Sequence, residues 1–435
     1  MNPKLIITAL VTFAILNVNA QREPKPIPDQ YIVVLKESSA KPVVKDGKKN
    51  NNREEKVASN KAARDKNIAK LKSVAKGKNI KESSVVNEFA DVLVGFTAKL
   101  NGAEKKALES DPDVQYVAQD YSVELEPIKD EAKPQEIGSI FNPRYNEKEE
   151  IRSGPSANSI DNTYVKNDAK NFAQVVPCTV TRAGGFVDGS GKSTWIWILD
   201  TGIDLTHPDL NVITSSTFAK SFIAGQTVQD GNSHGTHCAG TAAAKNNTIG
   251  VVGVSAGAKV VPVKVLNNAG SGSFSGILAG LNHVAMYDIA GDVVSMSIGG
   301  YPVSNCENSD PSIRDAIRNL GNAGTFVVMA AGNDYNCNGA GSNLPGCING
   351  NRVYTVGALN CDLTKASYSN GGQNVDYVAV GSGVYSTIPG GLYGTKSGTS
   401  MATPCVAGVI HARGSAPANG GNIAFCGTTK PLAHR

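Results

Sequence analysis

Apolar and polar positions in the first third of the chain alternate in short blocks. Strand-like runs occur in YIVVLK, twice within SVVNEFADVLVGFTAKL and in VQYVA at 114–118, and helical spacing occurs over about 59–76 and again after Asn101. From Tyr31 to about Glu126 the order of these blocks is strand, helix, strand, strand, helix, strand. The pattern predicts a small α+β domain of βαββαβ type.

A different pattern begins near Ala173, where the apolar runs are continuous. They include TWIWILD, AKVVPVKVL, DVVSMSI, GTFVVMAA, RVYTVGA and VDYVAV, and segments with helical spacing separate them. Such strands are typical of a mostly parallel sheet covered on both faces. We therefore expect a doubly wound α/β domain over residues 174–435, with functional groups at the carboxyl ends of its strands. Residues 127–173 are charged and lack apolar periodicity, which predicts a linker or an exposed insertion.

The first twenty residues predict export. Lys4 precedes an apolar run from Leu5 to Leu16, and small residues follow up to Ala20. This is the layout of a secretory signal peptide, and the run is too short to span a bilayer. We therefore expect a secreted, extracellular protein whose first domain starts at residue 21. The eight cysteines can form disulfides in that compartment, but their pairing does not follow from the sequence.

The charge is distributed unevenly. The whole chain carries a formal net charge of +4, whereas residues 41–82 contain fourteen Lys and Arg against five Asp and Glu, a local excess of 14 − 5 = 9. The basic residues are not interleaved with aromatic ones, as they would be in a nucleic-acid-binding segment. A solvated helix face accounts for them, and neither a nucleic-acid nor a membrane partner is predicted.

Several residues with catalytic chemistry stand at element boundaries. Asp200 ends the apolar run WIWIL, and His234 begins a run of small residues suited to a helix. His237 lies deeper in that helix. Ser400 and Cys405 are both candidate nucleophiles within GTSMATPCVAG. Taken alone, each of these positions also fits a structural role.

Four motifs, in this order, carry a family resemblance. They are DTGID, HGTHCAG, AAGND at 330–334 and SGTSMATP. Together they resemble the subtilisin-like serine peptidases, and the cysteine in HGTHCAG points to the proteinase K branch. The resemblance covers about residues 174–410, and residues 21–126 resemble the family's inhibitory propeptide. It implies a zymogen in which the propeptide inhibits its own catalytic domain.

The resemblance implies a role for each catalytic residue. Ser400 matches the nucleophile and His234 the general base. Asp200 matches the group that orients His234 and stabilises its imidazolium. Asn333 matches the side-chain donor to the oxyanion, with the backbone N–H of Ser400 as the second donor. A serine hydroxyl is a weak nucleophile near neutral pH, so its attack needs a base such as imidazole. No cofactor is expected for catalysis.

Two cysteines lie close to these residues in sequence. Cys405 is one and a half turns beyond Ser400, so we expect it to face away from the site as a buried apolar side chain. The family usually has a histidine at that position. Cys238 lies one turn after His234, and we expect it to be unpaired beneath the imidazole.

An extended substrate peptide is expected to pair with two strand edges. The resemblance assigns substrate binding to Gly270, Ser271, Gly272, Phe274, Ser297, Ile298, Gly299, Ala330, Ala331 and Gly332. Residues 270–272 and 297–299 match the edges, residues 330–332 leave an open apolar pocket, and Phe274 matches an aromatic wall for a more distant substrate residue. No acidic residue in these motifs selects for Lys or Arg, so we expect a broad preference for apolar or aromatic residues before the cut.

A calcium site is also implied by the resemblance. Asp376 and the carbonyls of Asn351 and Val353 fall where proteinase K relatives hold that ion, which prefers oxygen ligands. A simple strand-edge aspartate is the alternative interpretation of Asp376. The protein is expected to act as a monomer on protein and peptide substrates.

Two departures from the family pattern bear on function. Cys178 stands where many relatives have tryptophan, and only 27 residues (435 − 408) follow Gly408, so we expect the helix at Ser400 to end early. The favoured function is a secreted serine endopeptidase, and the alternative is a catalytically impaired binding scaffold with the same fold. The first propeptide cleavage is expected near Tyr121 to Glu126.

Overall fold

The computed structural model describes residues 25–46, 52–125, 173–299, 306–341 and 343–435. The predicted signal peptide, residues 1–20, lies outside these ranges, as does the predicted linker except for Ala173. No helix within the described ranges is long and apolar enough to cross a membrane.

Residues 25–125 form a strand, helix, strand, strand, helix and strand. The elements are β1 (Pro26–Leu35), α1 (Arg53–Gly77), β2 (Val85–Phe89), β3 (Gly95–Lys99), α2 (Gly102–Glu109) and β4 (Val114–Glu124). Helix α1 starts at Arg53, earlier than the sequence pattern indicates. The reason is a cap, because the side chain of Asn52 accepts hydrogen bonds from the backbone N–H groups of Glu54 and Glu55.

The four strands of this domain are antiparallel and lie in the order β4-β1-β3-β2. Side chains of β1 alternate between two cores. Val33 and Leu35 pack with Leu71 of α1, whereas Ile32 and Val34 join a cluster shared with the second domain. One face of the sheet therefore carries its own helix, and the other face docks on the second domain.

The second domain is an α/β domain built around one large sheet. Its helices are α3 (Cys178–Arg182), α4 (His234–Ala243), α5 (Phe274–Tyr287), α6 (Cys306–Ser309), α7 (Pro311–Ala323) and α8 (Thr399–Arg413). Its strands are β5 (Val187–Asp188), β6 (Ile196–Asp200), β7 (Asn211–Val212), β8 (Lys220–Ser221), β9 (Ser255–Ala256), β10 (Lys259–Lys264), β11 (Ser271–Ser273), β12 (Val293–Met296), β13 (Phe326–Ala330), β14 (Val353–Leu359), β15 (Tyr377–Val380), β16 (Val384–Ile388), β17 (Leu392–Lys396), β18 (Ala418–Phe425) and β19 (Thr428–His434).

The large sheet is parallel except at one edge. Its strand order is β18-β19-β15-β14-β13-β12-β6-β10-β7, with β8 also paired to β10. Trp197 and Leu199 of β6 pack in a cluster with residues of α5 and α7. Ile196 and Ile198 of the same strand pack with residues of α4 on the other face. Because both faces are covered by helices, the continuous apolar runs in the sequence become buried strands.

The segment after α8 is a β-hairpin. Helix α8 has 15 residues and ends at Arg413, before a glycine in the left-handed region (φ 73°). Strands β18 and β19 then form the hairpin, and Leu432 pairs with Val378 of β15. Phe425 and Leu432 lie in one buried cluster with Ala331, at the end of β13. The hairpin therefore completes the core at this edge of the sheet.

The structure shows which cysteines form disulfides, a question that the sequence left open. Within the described residues the disulfides are Cys178–Cys361, Cys306–Cys347 and Cys337–Cys426. Cys238 and Cys405 are free and buried, as expected. Cys178, which stands where many relatives have tryptophan, is thus part of a covalent link.

The N-terminal domain docks on α5 and α7 of the second domain. The Oδ1 atom of Asn282, on α5, accepts hydrogen bonds from the backbone N–H groups of residues 90–92 at 3.1, 2.9 and 3.2 Å. Asp120 of β4 accepts a hydrogen bond from the backbone N–H of Ser275 at 3.1 Å. Ser275 is in the first turn of α5, where the helix dipole favours an anion.

Candidate active site

Asp200 and His234 are in direct contact. Asp200 ends β6 and is fully buried, and its Oδ1 and Oδ2 lie 2.8 and 2.9 Å from Nδ1 of His234. Burial acts to lower the pKa of His234, but the carboxylate of Asp200 outweighs it and raises the pKa above its usual value of 6.5. Because Nδ1 faces Asp200, Nε2 is the nitrogen that remains to exchange a proton.

The loop before α4 sets the position of His234. Asp230 accepts hydrogen bonds at Oδ1 from the backbone N–H groups of Asn232 and Ser233, at 2.8 and 3.0 Å, and at Oδ2 from that of Thr236 at 3.0 Å. Ser233 adopts the left-handed conformation, with φ 89°. Asp230 is not among the predicted site residues, although an aspartate just before a helix start is a usual capping signal.

Lys264 is a buried cation beside the same loop, at the end of β10 and opposite Asp200 in the parallel register. Its side chain is fully buried, and Nζ donates to the carbonyl oxygen of Thr201 and to Oδ1 of Asn268, the latter at 3.0 Å. Burial lowers its pKa, while Asp230 and Asp200 oppose that shift. Lys264 is also absent from the predicted site residues, although a lysine within the apolar run VVPVKVL is unusual.

Ser400 is the second residue of α8 and is partly exposed. Its Oγ donates to the carbonyl oxygen of Ser297 at 3.4 Å, and Oγ of Ser297 donates to the carbonyl oxygen of Ser400 at 2.8 Å. Within the described part of the chain, the Ser400 hydroxyl is not hydrogen-bonded to His234. Sγ of Cys238 nevertheless lies 4.0 Å from Nδ1 of His234 and 3.5 Å from the carbonyl oxygen of Ser400. The backbone of Ser400 and the imidazole therefore contact the same sulfur atom.

Asn333 lies beside the start of α8. Its Oδ1 accepts hydrogen bonds from the backbone N–H and from the hydroxyl of Thr399, both at 2.9 Å. Because the oxygen is held in this way, the NH₂ group is the end of the amide directed away from Thr399. Thr399 immediately precedes Ser400, so the Asn333 amide and the N-terminus of α8 are neighbours.

Three other titratable side chains near the site are buried. Burial raises the pKa of the Cys405 thiol to about 11, and its Sγ lies 3.6 Å from the carbonyl oxygen of Thr179. Burial also raises the pKa of Cys238. It lowers the pKa of His237, whose Nε2 lies 2.9 Å from the carbonyl oxygen of Val384. Cys405 and His237 therefore act as parts of the core, and both cysteines are neutral thiols near neutral pH.

The predicted substrate edge at residues 270–272 is paired with the last strand of the N-terminal domain. In the antiparallel register of β4 and β11 the pairs are Glu124 with Ser271, Val123 with Gly272 and Ser122 with Ser273. The backbone N–H of Leu125 donates to the carbonyl oxygen of Gly270 at 2.9 Å. A Cβ added at Gly270 would lie 3.0 Å from Cδ1 of Leu125, so glycine allows this close approach. An extended segment of the chain thus occupies the edge where a peptide is expected to bind.

The remaining predicted substrate residues are mostly buried. Phe274 is fully buried and packs in the same cluster as Val123 of β4. Ser297 contacts Ser400, and residues 297–299 form no sheet pairing among the residues that the structure describes. The role of these positions in substrate binding stays a prediction.

The predicted apolar pocket at residues 330–332 follows β13. Ala330 and Ala331 are buried, and Ala331 packs against the C-terminal hairpin. Gly332 has φ 97°, and a Cβ there would lie 2.0 Å from Nδ2 of Asn343. Glycine is therefore required to bring this backbone past Asn343 and on to Asn333.

The predicted calcium ligands lie on neighbouring strands. Asp376 immediately precedes β15, Val353 begins β14, and β14 and β15 are paired. Oδ2 of Asp376 accepts a hydrogen bond from the backbone N–H of Thr355 at 2.8 Å. Burial raises the pKa of Asp376 to about 6, and the positive charge of Lys430 opposes this shift. The calcium site at Asp376, Asn351 and Val353 stays a prediction.

The parallel α/β fold and the Asp-His-Ser arrangement define the class of a serine hydrolase. The model of the Subtilase family matches residues 191–413, and that of Peptidase inhibitor I9 matches residues 30–126. The chain belongs to the subtilase family of serine peptidases and carries that family's propeptide.

Individual relatives agree with this assignment. Subtilisin E of Bacillus subtilis is 36% identical over 266 residues, which cover 60% of this chain and 65% of the relative. A cuticle-degrading protease of Metarhizium anisopliae is 41% identical over 229 residues, covering 51% of this chain and 54% of the relative. M-protease of Shouchella clausii is 35% identical over 329 residues, which cover 73% of this chain and 79% of the relative. The chain thus spans just under two thirds of subtilisin E, about half of the cuticle-degrading protease and more of M-protease.

Proposed function

We propose that the chain is a secreted serine endopeptidase, activated by removal of its N-terminal domain, that hydrolyses peptide bonds of proteins through an acyl-enzyme on Ser400. The observation that carries the proposal is the contact of the buried Asp200 with Nδ1 of His234, beside the N-terminus of the helix that bears Ser400. Membership of the subtilase family and the expected signal peptide support it.

The chemistry follows from these positions. Rotation about the Cα–Cβ bond of Ser400 takes Oγ from the carbonyl of Ser297 to Nε2 of His234. The imidazole then accepts the hydroxyl proton as Oγ attacks the substrate carbonyl carbon, and Asp200 stabilises the imidazolium. When the tetrahedral intermediate collapses, His234 gives that proton to the leaving amine. A water molecule then attacks the acyl-enzyme, with His234 again accepting the proton and passing it on to Oγ of Ser400. The products are a free carboxylic acid and Ser400 with its hydroxyl restored.

The oxyanion needs fixed donors during both steps. We assign this role to the NH₂ group of Asn333 and the backbone N–H of Ser400, because Thr399 donates to the amide oxygen of Asn333 and so places this amide beside the start of α8. In acyl-transfer enzymes, loss of one such donor costs about 10²- to 10³-fold in kcat. Lys264 and Asp230 are positioning residues, because they hold the loops around Asp200 and His234.

Substrate is held by strand pairing. The edge at residues 270–272 and the segment 297–299 bind an extended peptide, and residues 330–332 line the pocket for the side chain before the cut. No acidic residue lies in these motifs, which supports a preference for apolar or aromatic side chains. Phe274 becomes a wall of a more distant pocket once β4 has left.

The N-terminal domain is the intramolecular inhibitor. Strand β4 occupies the substrate edge, and Tyr121 to Glu124 are themselves paired in a sheet. Because Leu125 is also bonded to Gly270, we place the scissile bond at the C-terminal end of the expected region from Tyr121 to Glu126. The mature N-terminus then lies between residues 126 and 175. Asn351, Val353 and Asp376 would hold a calcium ion that supports the fold and takes no part in the reaction.

A fluorophosphonate probe tests the proposal. The purified, processed protein should be labelled on Ser400, and the Ser400→Ala chain should be neither labelled nor cut near Leu125. A correctly folded and processed protein that takes up no label would overturn the proposal and favour a binding scaffold. Normal processing of Ser400→Ala in a host without other proteases would show that maturation is not autocatalytic.

A further inference from the structure

Arg53, the first residue of α1, is bound by the catalytic domain. Its Nη1 and Nη2 donate to Oδ2 and Oδ1 of Asp292 at 2.6 and 2.8 Å. Nη1 also donates to the carbonyl oxygen of Tyr287 at 2.9 Å, and Nη2 to that of Ser193 at 3.2 Å. Cζ lies 3.6 Å from the centre of the Trp195 ring. A carboxylate, two carbonyls and an aromatic face therefore surround one guanidinium group.

The receptor for this group is built by the catalytic domain alone. Asp292 is fully buried, and it accepts hydrogen bonds from the backbone N–H of Trp195 at 2.9 Å, from Nε1 of Trp197 at 2.8 Å and from the backbone N–H of Ile289 at 3.2 Å. None of these donors comes from the N-terminal domain. The carboxylate is therefore held in place for a bidentate partner whether or not Arg53 is present.

Arg53 does not stabilise the helix in which it lies. A cation at a helix N-terminus is disfavoured by the helix dipole, and the next two residues, Glu54 and Glu55, are the ones that suit this end. Arg53 nevertheless has only 8% of its side chain exposed, against Asp292. Arg53 thus stabilises the contact between the two domains.

A second cation extends the site. Nζ of Lys56, one turn further along α1, donates to the carbonyl oxygen of Ala285 at 2.9 Å and pairs with the carboxylate of Asp288. Ala285 is in the last turn of α5, where the helix dipole favours a positive charge. The surface therefore fits a basic helix with Arg and Lys three residues apart.

This site is remote from the catalytic serine. Trp195 directly precedes β6, whose other end is Asp200, and Asp292 directly precedes β12, whose other end leads to Ser297. At about 3.3 Å per residue, roughly 15 Å of strand separates the two ends. The N-terminal domain thus contacts the catalytic domain at two separate places, through Arg53 near the amino ends of β6 and β12 and through β4 at the predicted substrate edge β11.

We propose that Asp292 and Trp195 form a guanidinium-binding site of the catalytic domain, and that Arg53, seated in it, retains the propeptide after the chain has been cut. The site persists in the processed enzyme as a receptor for an arginine in a basic helical segment. Retention after cleavage rests on the proposed function, whereas the existence of the site does not.

The first experiment follows the cleaved propeptide. Full-length chains with Arg53→Ala and Arg53→Lys are compared with the unchanged chain, and the complex of propeptide and enzyme is followed by native mass spectrometry together with the lag before peptidase activity. We expect cleavage at the same bond but release roughly tenfold faster or more in both variants, because lysine cannot make the bidentate contact. Lys61→Ala, which removes an exposed pair with Asp65 on the same helix, is the matched control and should behave as the unchanged chain.

The second experiment needs no catalysis. The chain has two tryptophans, and both lie at this site, so their fluorescence reports on it directly. In full-length Ser400→Ala with Arg53→Ala, N-acetylarginine methylamide should change the emission in a saturable way, and N-acetyllysine methylamide should not. Arg53→Gln, which keeps part of the stem, repeats the test if the alanine variant is unstable.

The outcomes separate the two proposals. Release of Arg53→Ala propeptide at the unchanged rate, or no saturable response to the arginine derivative, overturns the guanidinium site. Failure of the unchanged chain to cut itself overturns the proposed function, while the fluorescence titration still decides whether the site exists.

Discussion

The backbone of Gly235 packs directly against Asp200. A Cβ at position 235 would lie 3.1 Å from Cβ of Asp200 and 2.1 Å from the carbonyl oxygen of Gly202. Gly235→Ala must therefore move α4 or the end of β6 and separate His234 from Asp200. We expect kcat/KM of the processed enzyme to fall by about 10²-fold. Gly191→Ala is the control, because a Cβ there meets nothing within 4 Å, and equal losses in the two variants would contradict this explanation.

The two candidate nucleophiles can be told apart by single substitutions. Ser400→Ala should lower turnover by several orders of magnitude, because the catalytic residues act as a unit. Cys405→Ala should keep most of the activity, since Cys405 is buried against Thr179 and remote from the substrate edge. Peptide hydrolysis by both purified variants measures this, and the reverse result would reassign the nucleophile.

Mercurial reagents should inhibit the enzyme through Cys238. Among the residues that the structure describes, Asp200, His234 and Cys238 form a group able to hold a metal ion. A mercury atom on Sγ, which lies 4.0 Å from Nδ1 of His234, would displace the imidazole. Activity titrated with p-chloromercuribenzoate should fall in the unchanged enzyme and in Cys405→Ala, while Cys238→Ala should resist. Sensitivity of Cys238→Ala would place the target elsewhere.

The raised pKa of His234 predicts the pH dependence of activity. General-base catalysis needs the neutral imidazole, so activity should rise with pH on the alkaline side of 6.5. The His234–Asp200 pair stabilises the fold fully below the unfolded pKa, and this stabilisation is lost as pH rises through the folded pKa. In Asp200→Asn the opposing effect of burial remains, so the pKa should fall. NMR titration of His234 in Ser400→Ala, with and without Asp200→Asn, measures the shift, and an equal pKa in both would refute its assignment to Asp200.

The sequence predicted those parts of the structure that depend on local patterns. Continuous apolar runs such as that ending at Asp200 became buried parallel strands, because their residues are apolar on both faces. The end of α8 at Arg413 also has a local cause, because Gly414 follows it in the left-handed conformation. The roles of Ser400 and His234 stay predictions, because within the described residues the Ser400 hydroxyl and the His234 imidazole are not hydrogen-bonded to each other.

Long-range relationships could not be predicted from the same patterns. The disulfides join cysteines that are 41 to 183 residues apart, and no local rule decides between the alternatives. The contact of Arg53 with Asp292 depends on the docking of two domains. Lys264 and Asp230 were missed because their importance lies in which loops they hold, and only the folded chain shows that.

The hairpin of β18 and β19 has a consequence for the order of events during synthesis. Phe425 packs in one cluster with Ala331, although the ribosome adds it 94 residues later (425 − 331). The strand end that leads to Asn333 therefore remains unpacked while the chain is still being translated. By then the N-terminal domain, whose last described residue is 300 residues before Phe425 (425 − 125), has had time to fold. Under the proposed function, the inhibitory domain is thus complete before the catalytic site can form, so this order of synthesis protects the cell that makes the chain.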